Sequence, residues 1–243
     1  MNTEIVVIAL LMFIAAALYS SVGHAGASGY LAIMALFGFA PAEMKPTALA
    51  LNIFVALIST FRFYKAGFFS WKLFIPFAIA SIPFAFIGGR MDLHVEAYRM
   101  IVGLVLFFAA WRLIDSVKNP ATIHDPSFLL CLLIGAGLGF LSGLIGVGGG
   151  IFLTPLLLLM NWSETKKASG ISAAFILVNS ISGLAGNWKN IDLITPSILP
   201  YAIAVIAGGL AGTYFGIRKF DTGTLRKVLA IVLIIAGIKL ILI

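Results

Sequence analysis

Ten apolar segments follow one another along this chain, separated by short gaps that hold most of the charged residues. Of its 243 residues, 61% are hydrophobic and 10% are charged, whereas a soluble domain has about 25% charged residues. An apolar stretch of about 20 residues is long enough to cross a bilayer as a helix. The sequence therefore predicts an all-α integral membrane protein. The segments cover approximately residues 4–22, 25–40, 47–63, 73–89, 99–115, 127–144, 147–160, 168–187, 196–216 and 226–243.

The two halves of the chain resemble each other. Residues Arg99–Ile114 align without a gap on Arg226–Ile241, with six of sixteen positions identical. Upstream, Tyr19–Lys45 aligns on Phe140–Lys166 at one constant offset. Similarity at a fixed spacing indicates a duplicated architecture. The residue pairs that fall in step are Ser21 with Ser142, Gly29 with Gly150, Glu43 with Glu164 and Lys45 with Lys166.

This duplication divides the chain into a first membrane repeat (1–117), a linker (118–126) and a second membrane repeat (127–243). Five crossings per half make the repeats inverted, whereas four make them parallel. If all ten segments cross, the 16 basic residues divide 11 against 5 between the two sides; if two short segments dip in and return, they divide 9 against 7. Since basic loops stay cytoplasmic, we expect two five-helix inverted repeats with glycine-broken short helices and both termini outside the cytoplasm. Eight spans with two re-entrant segments are the alternative.

Segments two and seven are short and begin with glycine clusters, in residues 23–29 and 146–150. Paired, glycine-interrupted short segments are typical of a transporter's binding site, and the free N–H groups at the start of a half-helix attract anions. We therefore predict that the two clusters meet near the midplane and bind substrate, with tight helix packing as the alternative role. The predicted substrate-binding residues are Gly26, Ser28 and Gly29 in the first half and Gly148, Gly149 and Gly150 in the second.

Polar side chains inside the predicted spans extend this site. Hydroxyl and amide groups donate hydrogen bonds to an anion without the desolvation penalty of a buried charge. Interhelical hydrogen bonding is the alternative role for each of them. His24, in the first glycine cluster, is a further candidate for contact with a proton or the substrate. The predicted polar contacts to substrate are Thr47, Asn52, Thr154, Ser172 and Asn179.

Other kinds of site are not expected. The nine acidic residues lie at segment ends or in loops, so no buried carboxylate is predicted for a proton relay. With one cysteine and no P-loop motif, we expect no metal, no cofactor and no catalytic residue. The net charge of +7 is attributed to membrane topology, with no nucleic-acid partner. The Gly-x-Ser-Gly run at Ser28 resembles the nucleophile motif of rhomboid-type intramembrane serine proteases, which we keep as a remote alternative.

The second half also carries a family pattern. Residues Gly143–Pro155, Lys166–Ser172 and the pair Asn179-Ser180 resemble the TauE/SafE family of sulfite and organosulfonate exporters. Each half of that pattern opens with a small-residue cluster such as Gly-x-Gly-Gly-Gly, followed by an apolar run with a proline. The resemblance spans nearly the whole chain. It implies a membrane transporter of small sulfur-containing anions.

Together these features give one functional hypothesis and its alternatives. We expect a secondary transporter of the bacterial inner membrane that exports a small sulfur-containing oxyanion, sulfite or a short sulfonate such as sulfoacetate, by alternating access. An anion channel with the same fold is the first alternative, and a membrane subunit without transport activity is another. The expected partners are the small anionic substrate and the lipid bilayer, and a homodimer is an open expectation.

Overall fold

The computed structural model describes residues 3–114, 122–218 and 223–242, so the first part of the predicted linker lies outside the described residues. These ranges contain ten α-helices, with a six-residue 3-10 segment, Trp188–Leu193, between the eighth and the ninth. The helices are α1 (Thr3–Ser20), α2 (Ala27–Leu36), α3 (Pro41–Lys65), α4 (Trp71–Arg90), α5 (Val95–Ile114), α6 (Phe128–Ile145), α7 (Gly150–Leu159), α8 (Thr165–Gly186), α9 (Ile198–Arg218) and α10 (Gly223–Leu242).

The helix lengths confirm the predicted all-α integral membrane fold. Six described helices are long and apolar enough to cross a membrane, namely α1, α3, α4, α6, α8 and α9. Helices α5 and α10 have 20 residues each. Helices α2 and α7 have only 10 residues each, which gives about 15 Å, half of a hydrocarbon core of about 30 Å. We call α2 and α7 the half-helices.

Residues in the left-handed backbone region set the bounds of the half-helices. Gly26 (φ 106°) precedes α2 and Gly149 (φ 82°) precedes α7, a conformation that glycine adopts at little cost. Two residues beyond the end of each half-helix the backbone is left-handed again, at Gly38 (φ 78°) and Asn161 (φ 56°). The two half-helices are therefore bounded by matching turns.

These turns correct the register of the repeat. Gly26 matches Gly149 and Gly38 matches Asn161, each pair 123 residues apart (149 − 26 and 161 − 38). The sequence alignment instead placed Gly29 on Gly150, an offset of 121 residues. The runs of glycine and alanine can be aligned at an offset of 121 or of 123 residues. Only the offset of 123 places the positive φ angles of Gly26 and Gly38 on positive φ angles in the second half.

Two closely packed helix pairs show how four of the helices are directed. Successive glycines along α9 lie against carbonyl oxygens of successive turns along α1, so α1 and α9 are parallel. Glycines of α6 lie in the same way against α4, so α4 and α6 are parallel. The contacts are Gly208 with Phe13, Gly212 with Ala17, Gly216 with Ser21, Gly135 with Phe77, Gly139 with Ser81 and Gly143 with Ala85.

Helices α3 and α8 complete the set of directions. Residues later in α3 contact residues earlier in α8, so these two helices are antiparallel. Helix α3 runs parallel to α9, and α8 runs parallel to α4. It follows that α1 and α3 share one direction, while α6 and α8 share the opposite one. The contacts are Leu49 with Gly183, Asn52 with Ser180, Phe63 with Gly170, Val55 with Gly209, Arg62 with Thr213, Ile82 with Ser182 and Phe86 with Gly186.

The half-helices therefore carry the chain back across the bundle. Because α1 and α3 share one direction, α2 and the segment before it return the chain to the opposite side, and α7 does the same between α6 and α8. The ends of α2 and α10 lie together, since Lys239 Nζ donates to the Leu36 carbonyl, and the contacts of Gly103 with Ile241 and of Phe107 with Gly237 make α5 antiparallel to α10. The ten described helices therefore alternate in direction, and matching helices of the two halves are opposed. This is the predicted pair of five-helix inverted repeats, and the re-entrant alternative is not observed.

The helices of each repeat pack mainly against helices of the other repeat. The first helix of each half packs along the fourth helix of the other half, α1 on α9 and α6 on α4. The third helices, α3 and α8, pack against each other, and so do the last helices, α5 and α10. The glycines at the α1–α9 and α4–α6 contacts allow the close backbone approach that substitutes for a hydrophobic driving force in lipid.

Candidate functional site

The second half-helix begins in the middle of the bundle, where α7 starts beside Ile176, halfway along α8. Gly148 and Gly149, just before it, have φ angles of +81° and +82°. A Cβ atom added at Gly148 would lie 2.9 Å from Asn52 Nδ2, and one added at Gly149 would lie 2.8 Å from the Phe175 ring. Both backbone conformation and available space therefore require glycine here.

The start of α7 presents backbone donors without partners. A helix leaves its first N–H groups outside its own hydrogen-bond ladder. The N–H groups of Phe152 and Leu153 both donate to the Gly149 carbonyl, but among the described residues no hydrogen bond has the N–H of Gly150 or Ile151 as its donor. Both residues are buried. Unpaired donors at the positive end of a helix dipole attract an anion.

Three polar side chains with unpaired atoms lie around this helix start. Neither amide atom of Asn179 on α8 has a hydrogen-bond partner, nor does the hydroxyl of Ser142 on α6 or Oδ1 of Asn52 on α3. All three residues are 0% exposed. Leaving a buried polar group unpaired costs about 1–3 kcal/mol, so their concentration here indicates a place where a ligand or water completes the hydrogen bonds.

Two of these side chains are located by direct contacts. The Ser142 Cβ lies 3.4 Å from the Cβ position of Gly149. Asn52 Nδ2 donates to the Val147 carbonyl at 3.3 Å and to Ser180 Oγ at 3.5 Å. Both therefore lie beside the Gly148-Gly149 turn.

Asn179 is located by helix geometry. It lies on α8 about one turn after Phe175 and Ile176, and residues three and four apart share a helix face. Phe175 and Ile176 are the residues of α8 that face Gly149 and Gly150, so Asn179 lies on the same face. We define the α7 site as the N–H groups of Gly150 and Ile151 together with Ser142, Asn52 and Asn179.

A second polar contact joins the two halves of the chain one turn further along α7. His24 Nε2 lies 2.9 Å from Thr154 Oγ1, and the Thr154 hydroxyl donates to Ser172 Oγ at 2.7 Å. His24 belongs to the segment before α2, Thr154 to α7 and Ser172 to α8. Three predicted site residues are thus in hydrogen-bond contact, and the first glycine cluster lies against the second half-helix.

The start of the first half-helix is filled by aromatic side chains. Ser28 Oγ donates to the Tyr19 hydroxyl at 2.7 Å, and the Tyr30 hydroxyl donates to the Ala25 carbonyl at 2.5 Å. A Cβ atom added at Gly26 would lie 2.8 Å from the Tyr30 ring. Gly26 and Ser28 thus pack against or bond to tyrosines, and no unpaired side-chain atom is found among the described residues of this segment.

Two further predicted residues also have structural contacts. Thr47 Oγ1 accepts a hydrogen bond from the Thr195 N–H at 3.2 Å, which ties α3 to the segment before α9. A Cβ atom added at Gly29 would lie 2.9 Å from Ala15 Cβ, so Gly29 permits α2 to pack closely on α1. Neither of these contacts involves a residue of the α7 site.

Ser142 was absent from the residues predicted to bind substrate. The sequence signal for it was its position among small residues just before the second glycine cluster, since the pairing of Ser142 with Ser21 belongs to the offset that the backbone turns correct. Its unpaired hydroxyl became evident only once α6 and the Gly149 turn were placed together.

The chemistry available at the α7 site is hydrogen bonding. It contains amide, hydroxyl and backbone groups, and no group of three metal-ligating side chains occurs among the described residues. Ser28, the candidate protease nucleophile, donates to a phenol hydroxyl, while the His24 ring bonds Thr154. The amide, hydroxyl and backbone groups of this site can bind a small oxyanion reversibly.

Comparison with known proteins agrees with this architecture. The family model described as sulfite exporter TauE/SafE matches residues 8–240. The probable membrane transporter protein y4hK of Sinorhizobium fredii is 39% identical over 246 residues, which cover 99% of each chain. A probable membrane transporter protein of Methanocaldococcus jannaschii is 29% identical over 81% of this chain and 78% of its own. No solved structure matches. With a family match along almost its entire length, this multi-pass membrane transporter belongs to the TauE/SafE sulfite exporter family.

Proposed function

We propose that this protein is a secondary transporter that exports a small sulfur-containing oxyanion, sulfite or a short sulfonate such as sulfoacetate, from the cytoplasm by alternating access. The observation that carries the proposal is the α7 site, a half-helix start surrounded by unpaired, fully buried polar groups. The family description, which names sulfite export, supports the class of substrate.

In this proposal the α7 site holds the anionic oxygens. The N–H groups of Gly150 and Ile151 and the hydroxyl of Ser142 donate to them, and the amide of Asn179 contributes a further donor. Because the effective dielectric constant of a protein interior is lower than that of water, each hydrogen bond is electrostatically stronger there than in solution. A neutral set of donors also releases the anion more readily than a buried lysine or arginine pair does.

The inner membrane of a bacterium is the proposed location, with both termini outside the cytoplasm. The alternating helix directions place the ends of α3, α5 and α9 on one side of the bundle, together with the starts of α4, α8 and α10. The majority of the basic residues belong to these ends, and basic loops remain in the cytoplasm. The side with eleven of the sixteen basic residues is therefore taken as cytoplasmic.

A membrane potential supplies the driving force for export. Moving one elementary charge across 100 mV changes its free energy by about 2.3 kcal/mol. A negative cytoplasm therefore drives a monoanion outward without proton coupling. The absence of a predicted carboxylate relay is compatible with this uncoupled export.

The inverted repeats provide a route to alternating access. In transporters with this symmetry the two repeats exchange conformations around a central site. Here the half-helices start near the centre and run to opposite faces, and the His24–Thr154 contact joins the first cluster to the second half-helix. We expect this contact to be rearranged when access changes from one side to the other.

The proposal is tested by sulfite uptake into liposomes that contain the Gly149→Leu variant. At Gly149 a side chain meets the Phe175 ring and a left-handed backbone, so uptake is expected to disappear. Gly137→Leu on α6 is the matched control, since an added Cβ at Gly137 has no neighbour within 4 Å. Wild-type uptake by inserted Gly149→Leu protein contradicts the site, and uptake that never saturates indicates the channel alternative instead.

A further inference from the structure

The α7 site contains hydrogen-bond acceptors as well as donors. The Val147 carbonyl can only accept a hydrogen bond, so its contact with Asn52 at 3.3 Å fixes the Asn52 amide with Nδ2 toward Val147. Oδ1 then points away from that carbonyl, and it has no partner. The orientation of this acceptor is therefore determined by the backbone rather than by the assignment of amide atoms.

Asn179 adds a second acceptor. Both of its amide atoms are unpaired and the residue is 0% exposed. Whichever way the amide is turned, it presents one carbonyl oxygen and one NH₂ group. The site therefore has at least two carboxamide oxygens that require a donor.

These acceptors discriminate between kinds of oxyanion. A fully deprotonated oxyanion has lone pairs but no hydrogen to donate, so beside two carboxamide oxygens it leaves both unpaired. An anion that also carries an O–H or N–H group pairs its anionic oxygens with the backbone donors and its own donor with a carboxamide. Sites that are built to pair with a substrate hydroxyl reject the analogue that lacks it.

Resting on the proposed function, we infer that the transported anion carries its own hydrogen-bond donor. The substrate class is a protonated oxyanion such as hydrogensulfite, or a short sulfonate with a hydroxyl group. Its donor bonds Oδ1 of Asn52 or Asn179, and its anionic oxygens bond the N–H groups of Gly150 and Ile151. This ranks hydroxylated sulfonates above sulfoacetate, whose two acidic groups are ionised at neutral pH.

The test compares two sulfonates that differ by one hydroxyl, ethanesulfonate and 2-hydroxyethanesulfonate. Uptake of each is measured beside sulfite in liposomes that contain the wild-type protein. We expect 2-hydroxyethanesulfonate to be transported at least tenfold faster. If it is no better than ethanesulfonate while sulfite is transported, the inference is wrong and the proposed function stands. If sulfite and both sulfonates fail to move, the proposed function is itself overturned.

Two variants assign the preference to the carboxamides. Asn52→Leu and Asn179→Leu keep the branched shape of the side chain and remove its carboxamide group, so at least one of them is expected to reduce the preference to about twofold or less. Ser169→Ala is the matched control on α8, because Ser169 Oγ donates to the Thr165 carbonyl of its own helix at 2.9 Å. A tenfold preference retained in both Leu variants overturns the assignment, and the wild-type comparison is valid even if a variant fails to fold.

Discussion

Single glycine residues shape the start of α7. Gly148 and Gly149 combine a left-handed backbone with neighbours that leave no room for a Cβ atom. Just beyond them, Gly150 and Ile151 have N–H groups that no described hydrogen bond uses. The glycines therefore serve the site by exposing backbone rather than by contributing a side chain.

The contact between His24 and Thr154 leads to a prediction at the same scale. Thr154→Val removes the hydroxyl that bonds both His24 and Ser172, while its size is nearly unchanged. We expect sulfite uptake into liposomes to fall about tenfold with the amount of inserted protein unaffected. Thr154→Ser keeps the hydroxyl and is expected to remain active. Equal uptake by the Val and Ser variants would contradict a role for this contact.

The sequence indicated which polar residues are buried, but not which groups they bond. Asn52 and Asn179 were among the predicted polar contacts, and both carry unpaired atoms in the structure. Ser28 and Thr47 looked equivalent in the sequence, yet Tyr19 and the Thr195 N–H pair with them. Thr195 is 148 residues from Thr47 along the chain, and no local pattern encodes such a pairing.

Among the secondary-structure elements, a buried lysine and a half-buried lysine each bind the carbonyl groups at a helix end. Lys45 Nζ donates to the Gly89 and Met91 carbonyls, at 2.8 and 3.0 Å, where α4 ends. Lys166 Nζ donates to the Ile217 carbonyl at 3.0 Å, where α9 ends. Helices α4 and α9 are the fourth helices of the two repeats, so the same cap is used twice. A cation at a helix C-terminus also interacts favourably with the helix dipole.

Loss of one of these caps has a predicted cost. Lys45→Met leaves the last carbonyls of α4 without their charged donor, so we expect the free energy of unfolding to fall by about 2 kcal/mol. Thermal unfolding of the purified protein in detergent measures this as a lower midpoint temperature. Lys189→Met is the matched control, because Lys189 is exposed. An unchanged midpoint for Lys45→Met would show that the cap does not stabilise the fold.

The half-helices show what the sequence can and cannot predict about an element. Their existence was predictable, since apolar stretches of this length cannot cross the hydrocarbon core as helices. Their register was not, because Ala25-Gly26-Ala27 resembles any part of the run Gly148-Gly149-Gly150. Only the backbone angles fix Gly26 against Gly149.

For the whole molecule, the exchange of helices between the repeats is the main structural consequence of the inverted topology. Because α1 packs on α9 and α6 on α4, neither half contains all of its own packing partners. The number of crossings could be predicted from the distribution of basic residues. The exchange could not, since similar glycine patterns are compatible with several helix pairings.

The prediction that both termini lie outside the cytoplasm can be tested by cysteine labelling. Cys131 is the single cysteine, so a Cys131→Ser background accepts one new cysteine at a time. An impermeant thiol reagent added to intact cells is expected to label His94→Cys, between α4 and α5, but not Ala66→Cys, between α3 and α4. Both native residues are exposed. The opposite labelling pattern would place the termini in the cytoplasm.

Export is measured most directly as the flux of sulfite from liposomes that contain the purified protein, under an imposed potential of either sign. Chloride and acetate serve as control anions. We predict saturable efflux of sulfite that is faster when the interior is negative and no comparable movement of the controls. If correctly inserted protein moves neither sulfite nor a short sulfonate under either potential, export of a sulfur-containing oxyanion is contradicted, although the ten-helix fold remains.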